Sequence, residues 1–145
     1  MTIPFTRVRN GAQTPTQASS GSAGFDLCAC VEEAVTIPPM GRAMIPTGLA
    51  MALPSADVVG LVYARSGLAT RSGIALANGV GVIDSDYRGE LCVALINLSD
   101  APYTVQDGDR IAQLVITPIA LPEWVEAETL DDTARGAGGF GSSGV

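Results

Sequence analysis

The chain contains no lysine and no histidine, so all eight of its basic residues are arginines. Without these two residue types there is no histidine general base, no Ser-His-Asp triad and no lysine Schiff base. Acid–base chemistry near neutral pH must then use aspartate, glutamate, tyrosine, cysteine or bound water. The formal net charge is −7. We therefore expect no nucleic-acid partner, because nucleic-acid binding needs a clustered basic surface.

Long apolar runs and paired cysteines are also missing. No stretch of about 18 apolar residues is present to span a membrane, and the first residues lack the pattern of a signal peptide. The cysteines, Cys28, Cys30 and Cys92, are odd in number and show no disulfide-like spacing, which favours a reducing compartment. No histidine and no second cysteine pair accompany them, so a zinc site is not expected. These features predict a cytoplasmic protein with no membrane partner.

Glycine and proline interrupt the chain throughout, with 17 and 9 residues respectively. The apolar runs between them are short, and turn signals recur about every ten residues, as in an all-β barrel or sandwich. The helix candidate is 66–73, where we expect Ser66 to cap one or two turns. Segments 79–84 and 90–99 flank the turn formers "SDYRG" and predict a β-hairpin.

One compositional break divides the chain. After "ETLDDTA" the sequence becomes rich in glycine and serine and stays so to residue 145. We expect a single β-domain over 1–130 and a flexible C-terminal arm over 131–145, since the arm holds too little apolar surface to offset its ordering entropy.

Two internal segments carry polar groups suited to a nucleotide. In "YARSGLA" (63–69) a strand ends with Arg, Ser and Gly where a helix begins, and such a start suits phosphate oxygens. In "NGVGVIDSDYRGE" (78–90) carboxylates and a tyrosine follow an apolar strand, and a carboxylate there can act as a base. Each segment also has a plain reading: a helix start with a surface arginine, and a turn made of ordinary turn formers.

The last two segments are equally ambiguous. Gln113, in "GDRIAQL" (108–114), lies in an apolar run, so its amide either finds a buried partner or faces solvent. The tail "GAGGFGSS" (136–143) has the glycine spacing of a P-loop, but serine stands where the lysine belongs and no helix follows. Its backbone N–H groups can still wrap a phosphate, and an aromatic ring can stack on a base.

The order of these segments carries more information than any one of them. Five segments match, in sequence order, the five motifs of the trimeric dUTPases: "SAGFDLCA" (22–29), "ARSGLA" (64–69), "NGVGVIDSDYRGE" (78–90), "GDRIAQL" (108–114) and "RGAGGFGSSG" (135–144). The chain therefore resembles that family from about residue 20 to its end. The resemblance implies a jelly-roll-like β-barrel that forms a homotrimer with shared active sites. It also implies Mg²⁺-dependent hydrolysis of dUTP to dUMP and diphosphate, which keeps uracil out of DNA and supplies dUMP for thymidylate synthesis.

The resemblance also implies roles for individual residues. Asp84 corresponds to the general base that activates water for attack on the α-phosphorus, and Tyr87 to the tyrosine under the deoxyribose. Asp26 corresponds to a carboxylate near metal-bound water, with Mg²⁺ held mainly by the triphosphate. The remaining substrate-binding positions comprise the uracil-reading residues Asn78, Val82, Ile83 and Cys92, the phosphate contacts Arg65, Ser66, Gly67 and Gln113, and the arm residues Arg135, Phe140, Gly141, Ser142 and Ser143.

Two positions depart from the family pattern, and other functions compete. Ala64 stands where the family commonly has proline, and Ser143 where it commonly has threonine; neither change removes a functional group. The related dCTP deaminases would need a site for cytosine and a base suited to attack on its ring. A binding module without catalysis and a β-barrel trimer without a ligand are the remaining alternatives.

Overall fold

The structure is a computed structural model and describes residues 1–139. Within that range the backbone forms eleven strands and one helix. In chain order they are β1 (Phe5–Arg7), β2 (Phe25–Cys28), β3 (Val35–Ile37), β4 (Arg42–Pro46), β5 (Leu49–Met51), β6 (Val58–Ala64), α1 (Ser66–Ser72), β7 (Ile74–Leu76), β8 (Gly81–Ile83), β9 (Cys92–Asn97), β10 (Tyr103–Val105) and β11 (Arg110–Pro118). The predicted all-β fold with at most one short helix is confirmed.

The strands pair antiparallel throughout and form four hydrogen-bonded sheets within the described residues. A four-stranded sheet has the order β2-β11-β6-β8, and a three-stranded sheet has the order β4-β9-β7. Two-stranded ladders, β1-β5 and β3-β10, complete the jelly-roll-like arrangement. Over residues 1–139 the ladders stay separate rather than closing into one continuous cylinder.

The core is built from aliphatic side chains of nearly every strand. Its most deeply buried members are at most 2% exposed: Leu27, Ile37, Ile45, Leu49, Ile74, Leu95, Val105 and Ile111. Burying such side chains contributes about 1.5–3 kcal/mol each before the entropy of ordering the chain is subtracted. This interior holds the sheets together and sets the strand ends at which the polar motifs lie.

A glycine separates two neighbouring strands of the core. The mostly apolar residues 43–54 are divided between β4 and β5 at Gly48. The φ of Gly48 is +71°, and a Cβ there would lie 2.6 Å from the Cβ of Ala12. Only glycine meets both conditions at low cost.

The predicted hairpin between 79–84 and 90–99 is wrong in its pairing. The strand before the turn, β8, pairs with β6 in the four-stranded sheet, whereas β9 pairs with β4 and β7. Both edges of β9 are therefore occupied, and residues 84–91 connect two sheets. Turn formers indicate where the chain reverses, but the partner of a strand is decided by distant strands that compete for its edges.

Candidate functional site

Two arginines converge on a single buried carboxylate. Asp26, on β2, is 4% exposed. The Nε of Arg65 donates to its Oδ1 at 3.0 Å, and an Nη of Arg110 donates to its Oδ2 at 3.1 Å. Arg65 also donates to the backbone carbonyl of Arg110 at 3.3 Å. The cluster carries a net positive charge beside the end of β6, which suits an anionic ligand.

Arg110 is a residue that the sequence reasoning missed. It is the third residue of the fourth motif and the first residue of β11, a position where an arginine is usually solvent-exposed. The available signal was its position two residues after Gly108, at the start of the strand that carries Gln113. The β11–β2 register then brings it beside Asp26.

The helix begins one residue earlier than predicted. Arg65, not Ser66, is the N-cap, with φ −81° and ψ 124°, and no side chain caps the helix. The prediction that Ser66 caps the helix is therefore wrong, because the guanidinium of Arg65 turns toward Asp26 and the extended backbone of β6 continues through it. Ser66 and Gly67 occupy the first turn, where backbone N–H groups lack intrahelical acceptors. Gly73 ends the helix with φ +66°.

Gln113 lies at the same end of the sheet as this cluster. Its Cα pairs with Asp26 on one side and Tyr63 on the other. Its side chain is half-buried, so it is neither enclosed in the core nor fully in solvent, and its amide remains available to a ligand. A Cβ at position 24 would lie 3.3 Å from the Cβ of Gln113, so Gly24 leaves room for the amide. The structure thus gathers four of the predicted positions, Asp26, Arg65, Ser66 and Gln113, at one sheet end.

The 84–90 loop is closed by its own side chains. The backbone N–H of Tyr87 donates to the carbonyl of Asp84 at 3.2 Å, and its hydroxyl donates to the carbonyl of Glu90 at 3.0 Å. An Nη of Arg88 donates to the carbonyls of Ser85 and Tyr87, both at 2.8 Å. The tyrosine ring remains 44% exposed, so one face is available to a ligand.

Gly89 is required by the position of that ring. A Cβ at this residue would lie 2.6 Å from Cζ of Tyr87, closer than real Cβ contacts allow. The glycine of "YRG" therefore leaves room for the end of the Tyr87 side chain to lie close to the backbone at residue 89. Ordinary turn-forming residues explain why the chain bends here, but they do not explain the close approach of the tyrosine side chain to residue 89.

Asn78 and Cys92 meet through the β7–β9 ladder. Ile74 pairs with Asn97 and Leu76 with Leu95, and the N–H of Ala77 donates to the carbonyl of Ala94 at 2.8 Å. Continuing this register by one residue places Asn78 next to the start of β9, where Cys92 lies. The β7–β9 ladder therefore brings these two residues to the same region, although β8 separates the two strands in the chain. Val82 and Ile83 lie on β8, which pairs with β6 in the four-stranded sheet.

The thiols near these sites are held neutral. Burial raises the pKa of Cys92, and Glu90 raises it further while Arg9 opposes them. Burial also raises the pKa of Cys28, with Asp26 adding to the shift. A neutral thiol is a poor nucleophile and a poor metal ligand. Cys92 can therefore contribute its backbone groups to a site, whereas its sulfur is unsuited to chemistry.

Asp84 and Arg65 lie at opposite ends of the same strand pair. In the β6–β8 ladder Gly60 pairs with Ile83 and Val62 with Gly81. Asp84, which directly follows β8, therefore lies level with the start of β6, whereas Arg65 directly follows the end of β6. Six residues of extended chain separate the two levels, which at about 3.3 Å per residue amounts to about 20 Å. Within one chain the exposed carboxylate of Asp84 and the arginine cluster cannot contact the same phosphate group.

The donor groups near the cluster decide how a metal ion could be held. Among residues 1–139 no three His, Cys, Asp or Glu side chains are grouped so as to hold a metal ion. Both oxygens of Asp26 already accept from arginines. Each carboxylate oxygen keeps further acceptor capacity for a water molecule. These residues fit a Mg²⁺ ion whose ligands come from substrate oxygens and water, and they do not fit one held by the protein alone.

The arm is described only in part. The Nε of Arg135 donates to the carbonyl of Gly138 at 2.7 Å, and Arg135 is exposed. The predictions for Phe140, Gly141, Ser142 and Ser143 lie outside the described residues. The one helix of the described range, α1, is far shorter and less apolar than a membrane-crossing helix.

Comparisons with known proteins agree with the motif order. Residues 10–144 match the family model described as "dUTPase". The chain is 53% identical over 143 residues to a deoxyuridine 5'-triphosphate nucleotidohydrolase of Desulfitobacterium hafniense, covering 99% of this chain and 95% of that protein. It is 50% identical over 144 residues to the same-named protein of Wolinella succinogenes, covering 99% and 95% respectively. A solved structure of the Staphylococcus bacteriophage 80alpha dUTPase with dUPNHPP superposes with TM-score 0.89 at 30% identity, covering 99% of each chain.

Proposed function

The chain belongs to the dUTPase family, and from this premise we propose that it hydrolyses dUTP to dUMP and diphosphate at sites shared between subunits. The reaction class is nucleotide hydrolysis, the activity for which its relatives are named. Asp84 is the catalytic base, and Arg65 belongs to the phosphate-binding group. The activity would keep uracil out of DNA and supply dUMP for thymidylate synthesis, in the cytoplasm.

One observation supports the shared site above all others. The β6–β8 register separates Asp84 from Arg65 by about 20 Å in one chain, yet a base and a phosphate-binding arginine must act on the same triphosphate. A homotrimer resolves the conflict, because Asp84 of one subunit then meets Arg65 of its neighbour. On the same grounds we propose that Gln113 acts with Arg65 and that Tyr87 acts with Asp84.

Exposed apolar groups in the segment between β11 and the arm support assembly as well. Leu121, Trp124, Val125 and Leu130 are 65%, 92%, 81% and 90% exposed. These residues follow β11 in a segment without regular secondary structure, and a large apolar group in water is typical of a surface that another chain covers. We propose that the segment packs on a neighbouring subunit and thereby brings residues 131–145 to that subunit's site.

The chemistry requires little from the protein beyond position and charge. Asp84 accepts a proton from a water molecule, and the water oxygen attacks the α-phosphorus in line with the departing diphosphate. The P–O bond to the bridging oxygen breaks, and the electron pair leaves with diphosphate. The carboxylate of Asp84 is exposed, so a water molecule can reach it. A weak base suffices when geometry is fixed by the bound triphosphate.

The arginine cluster binds the phosphates in this mechanism. Arg65 is oriented by Asp26, and the first-turn N–H groups of Ser66 and Gly67 add donors beside it. The amide of Gln113 supplies another donor from the adjacent strand. Bound Mg²⁺ would neutralise charge on the triphosphate, and Asp26 would accept a hydrogen bond from metal-bound water.

Uracil and sugar are read at the other end of the sheet. The amide of Asn78 and the backbone groups of Val82, Ile83 and Cys92 offer fixed donors and acceptors to the edge of a flat ring, which rejects cytosine. The ring of Tyr87 packs under the deoxyribose and leaves no room for a 2′-hydroxyl. Arg135, Phe140, Gly141, Ser142 and Ser143 would complete the site from the arm, with Phe140 stacking on uracil and the others meeting the terminal phosphates.

The test follows the products of dUTP and dCTP incubated with Mg²⁺. We expect dUMP and diphosphate from dUTP, with dCTP nearly untouched. Asp84→Asn should keep nucleotide binding and lose most turnover, whereas the matched Asp86→Asn should retain it. Ammonia from dCTP would support a deaminase instead, and near-normal rates for Asp84→Asn would place the base elsewhere.

A further inference from the structure

An ion pair outside the proposed catalytic groups lies beside the sugar-binding tyrosine. Glu90 is 20% exposed, and its carboxylate accepts from Nε of Arg9 at 2.6 Å and from an Nη of Arg9 at 3.0 Å. The backbone N–H of Gly48 donates to the same Oε1 at 2.9 Å. Three donors from two distant segments therefore hold one glutamate. A bidentate arginine–carboxylate pair of this kind is both stronger and more directional than an ordinary surface pair.

The backbone of Glu90 carries this constraint to the tyrosine. The hydroxyl of Tyr87 donates to the carbonyl of Glu90 at 3.0 Å. The next residue, Leu91, donates its N–H to the carbonyl of Leu49 at 2.7 Å, and its own carbonyl accepts from the N–H and hydroxyl of Thr47. The far end of the ring is thus fixed to a backbone that is itself anchored at 47–49. The backbone of the tyrosine is held by the hydrogen bond from its N–H to the carbonyl of Asp84.

The anchor point is rigid in its own right. Gly48 adopts φ +71°, and its carbonyl accepts from the N–H of Val8 at 2.8 Å. A Cβ at Gly48 would lie 3.2 Å from the Cβ of Arg9 and closer still to Ala12. The N-terminal segment, the β4–β5 junction and the 84–90 loop therefore meet at one tightly packed point. Movement of Glu90 has to be accommodated at that point.

We propose that Glu90 and Arg9 form a positioning pair that sets the height of the Tyr87 ring under the sugar and thereby enforces the choice of deoxyribose over ribose. Neither residue touches substrate; both act through the carbonyl of Glu90. This inference rests on the proposed function, in which Tyr87 excludes the 2′-hydroxyl. It assigns a part in substrate choice to the N-terminal segment, 81 residues from Glu90 in the sequence.

The pair fits a positioning role better than a purely structural one. Neighbouring backbone bonds at Leu91 already attach the loop to the 47–49 junction, so the loop does not depend on the ion pair for its attachment. What the ion pair adds is a fixed orientation of residue 90, whose carbonyl holds the tyrosine hydroxyl. Displacements well below 1 Å at such a contact change the fit of a substrate without unfolding the loop.

The experiment compares kcat/KM for dUTP with kcat/KM for UTP in the full-length protein. We expect Glu90→Gln and Arg9→Gln each to lower the dUTP-to-UTP selectivity ratio by about tenfold or more, mostly through faster UTP turnover. The double variant should be no worse than either single variant, since residues that act as one unit are not additive. Glu33→Gln and Arg42→Gln, exposed residues of matched type, should leave the ratio unchanged.

The outcomes separate this inference from the proposed function. A wild-type protein that does not hydrolyse dUTP overturns the function itself. A wild-type protein that prefers dUTP, together with folded Arg9→Gln and Glu90→Gln proteins of unchanged selectivity, overturns the positioning role alone. Arg9 is 46% exposed, so its variant remains a test even where Glu90→Gln loses stability. Lower thermal stability with an unaltered ratio would show that the pair is only structural.

Discussion

Complementation between two inactive proteins gives the strictest test of the shared site. Arg65→Gln removes the guanidinium at one end of the β6–β8 pair, and Asp84→Asn removes the base at the other, about 20 Å away. Each protein alone should have little activity. A mixed trimer can nevertheless contain a junction at which the Asp84 of one chain faces the Arg65 of its neighbour, both unmodified.

The expected recovery follows from counting junctions. After equal amounts of the two proteins are unfolded together and refolded, a given position holds either chain with a probability of about one half. An intact junction needs the Arg65→Gln chain on one side and the Asp84→Asn chain on the other. About one quarter of the junctions in randomly mixed trimers meet this condition. We therefore expect about a quarter of the wild-type turnover.

The assay is release of diphosphate from dUTP by the refolded mixture. Each variant refolded with itself provides the background, and Asp84→Asn refolded with wild type should give about half of the wild-type rate. Size-exclusion chromatography checks that the mixture has the size of the wild-type assembly. Activity no higher than background in a well-assembled mixture would refute the reasoning, because it would mean that both residues serve a site within one chain.

Three further predictions concern stability, pH and the arm. The side chain of Asn97 is fully buried and makes four hydrogen bonds, donating to the carbonyls of Ile37 and Ala101 and accepting twice from Ser99. Asn97→Ala should therefore lower the free energy of unfolding, measured in urea, by about 3–5 kcal/mol. A decrease below about 1 kcal/mol would contradict this account. The hydrogen bond from Arg9 lowers the pKa of Glu90 in the folded protein. The stability difference between wild type and Glu90→Gln should therefore be complete above about pH 4.3, the pKa of an unperturbed glutamate, and should vanish as the pH falls through the lower folded-state pKa. Melting temperatures that differ equally at every pH would contradict this. Deleting 135–145 should leave the assembly folded by circular dichroism and reduce dUTP turnover strongly, and normal turnover would show that the arm is dispensable.

Local chemistry in the sequence determined the fold class and the candidate groups. Glycines such as Gly48 and Gly73, with φ values of +71° and +66°, mark turns that short-range physics already requires. The absence of lysine and histidine limited acid–base chemistry to aspartate, glutamate, tyrosine, cysteine or bound water, and the order of the motifs identified the family, whose resemblance implies Asp84 as the base. Helix α1 (Ser66–Ser72) lies within one residue of the predicted segment 66–73, because helix-forming and turn-forming residues act over short distances.

Strand partners and side-chain contacts required the tertiary structure. The sequence predicted 79–84 against 90–99, whereas β8 pairs with β6 and β9 with β7 and β4. It did not specify that Arg110 would meet Asp26 or that Arg9 would meet Glu90, pairs separated by 84 and 81 positions. The physical reason is the same in each case. Residue types and their spacing determine local backbone conformation, but the partner of a strand or a charge is decided by which distant groups bury the core together, and only the packed chain specifies that.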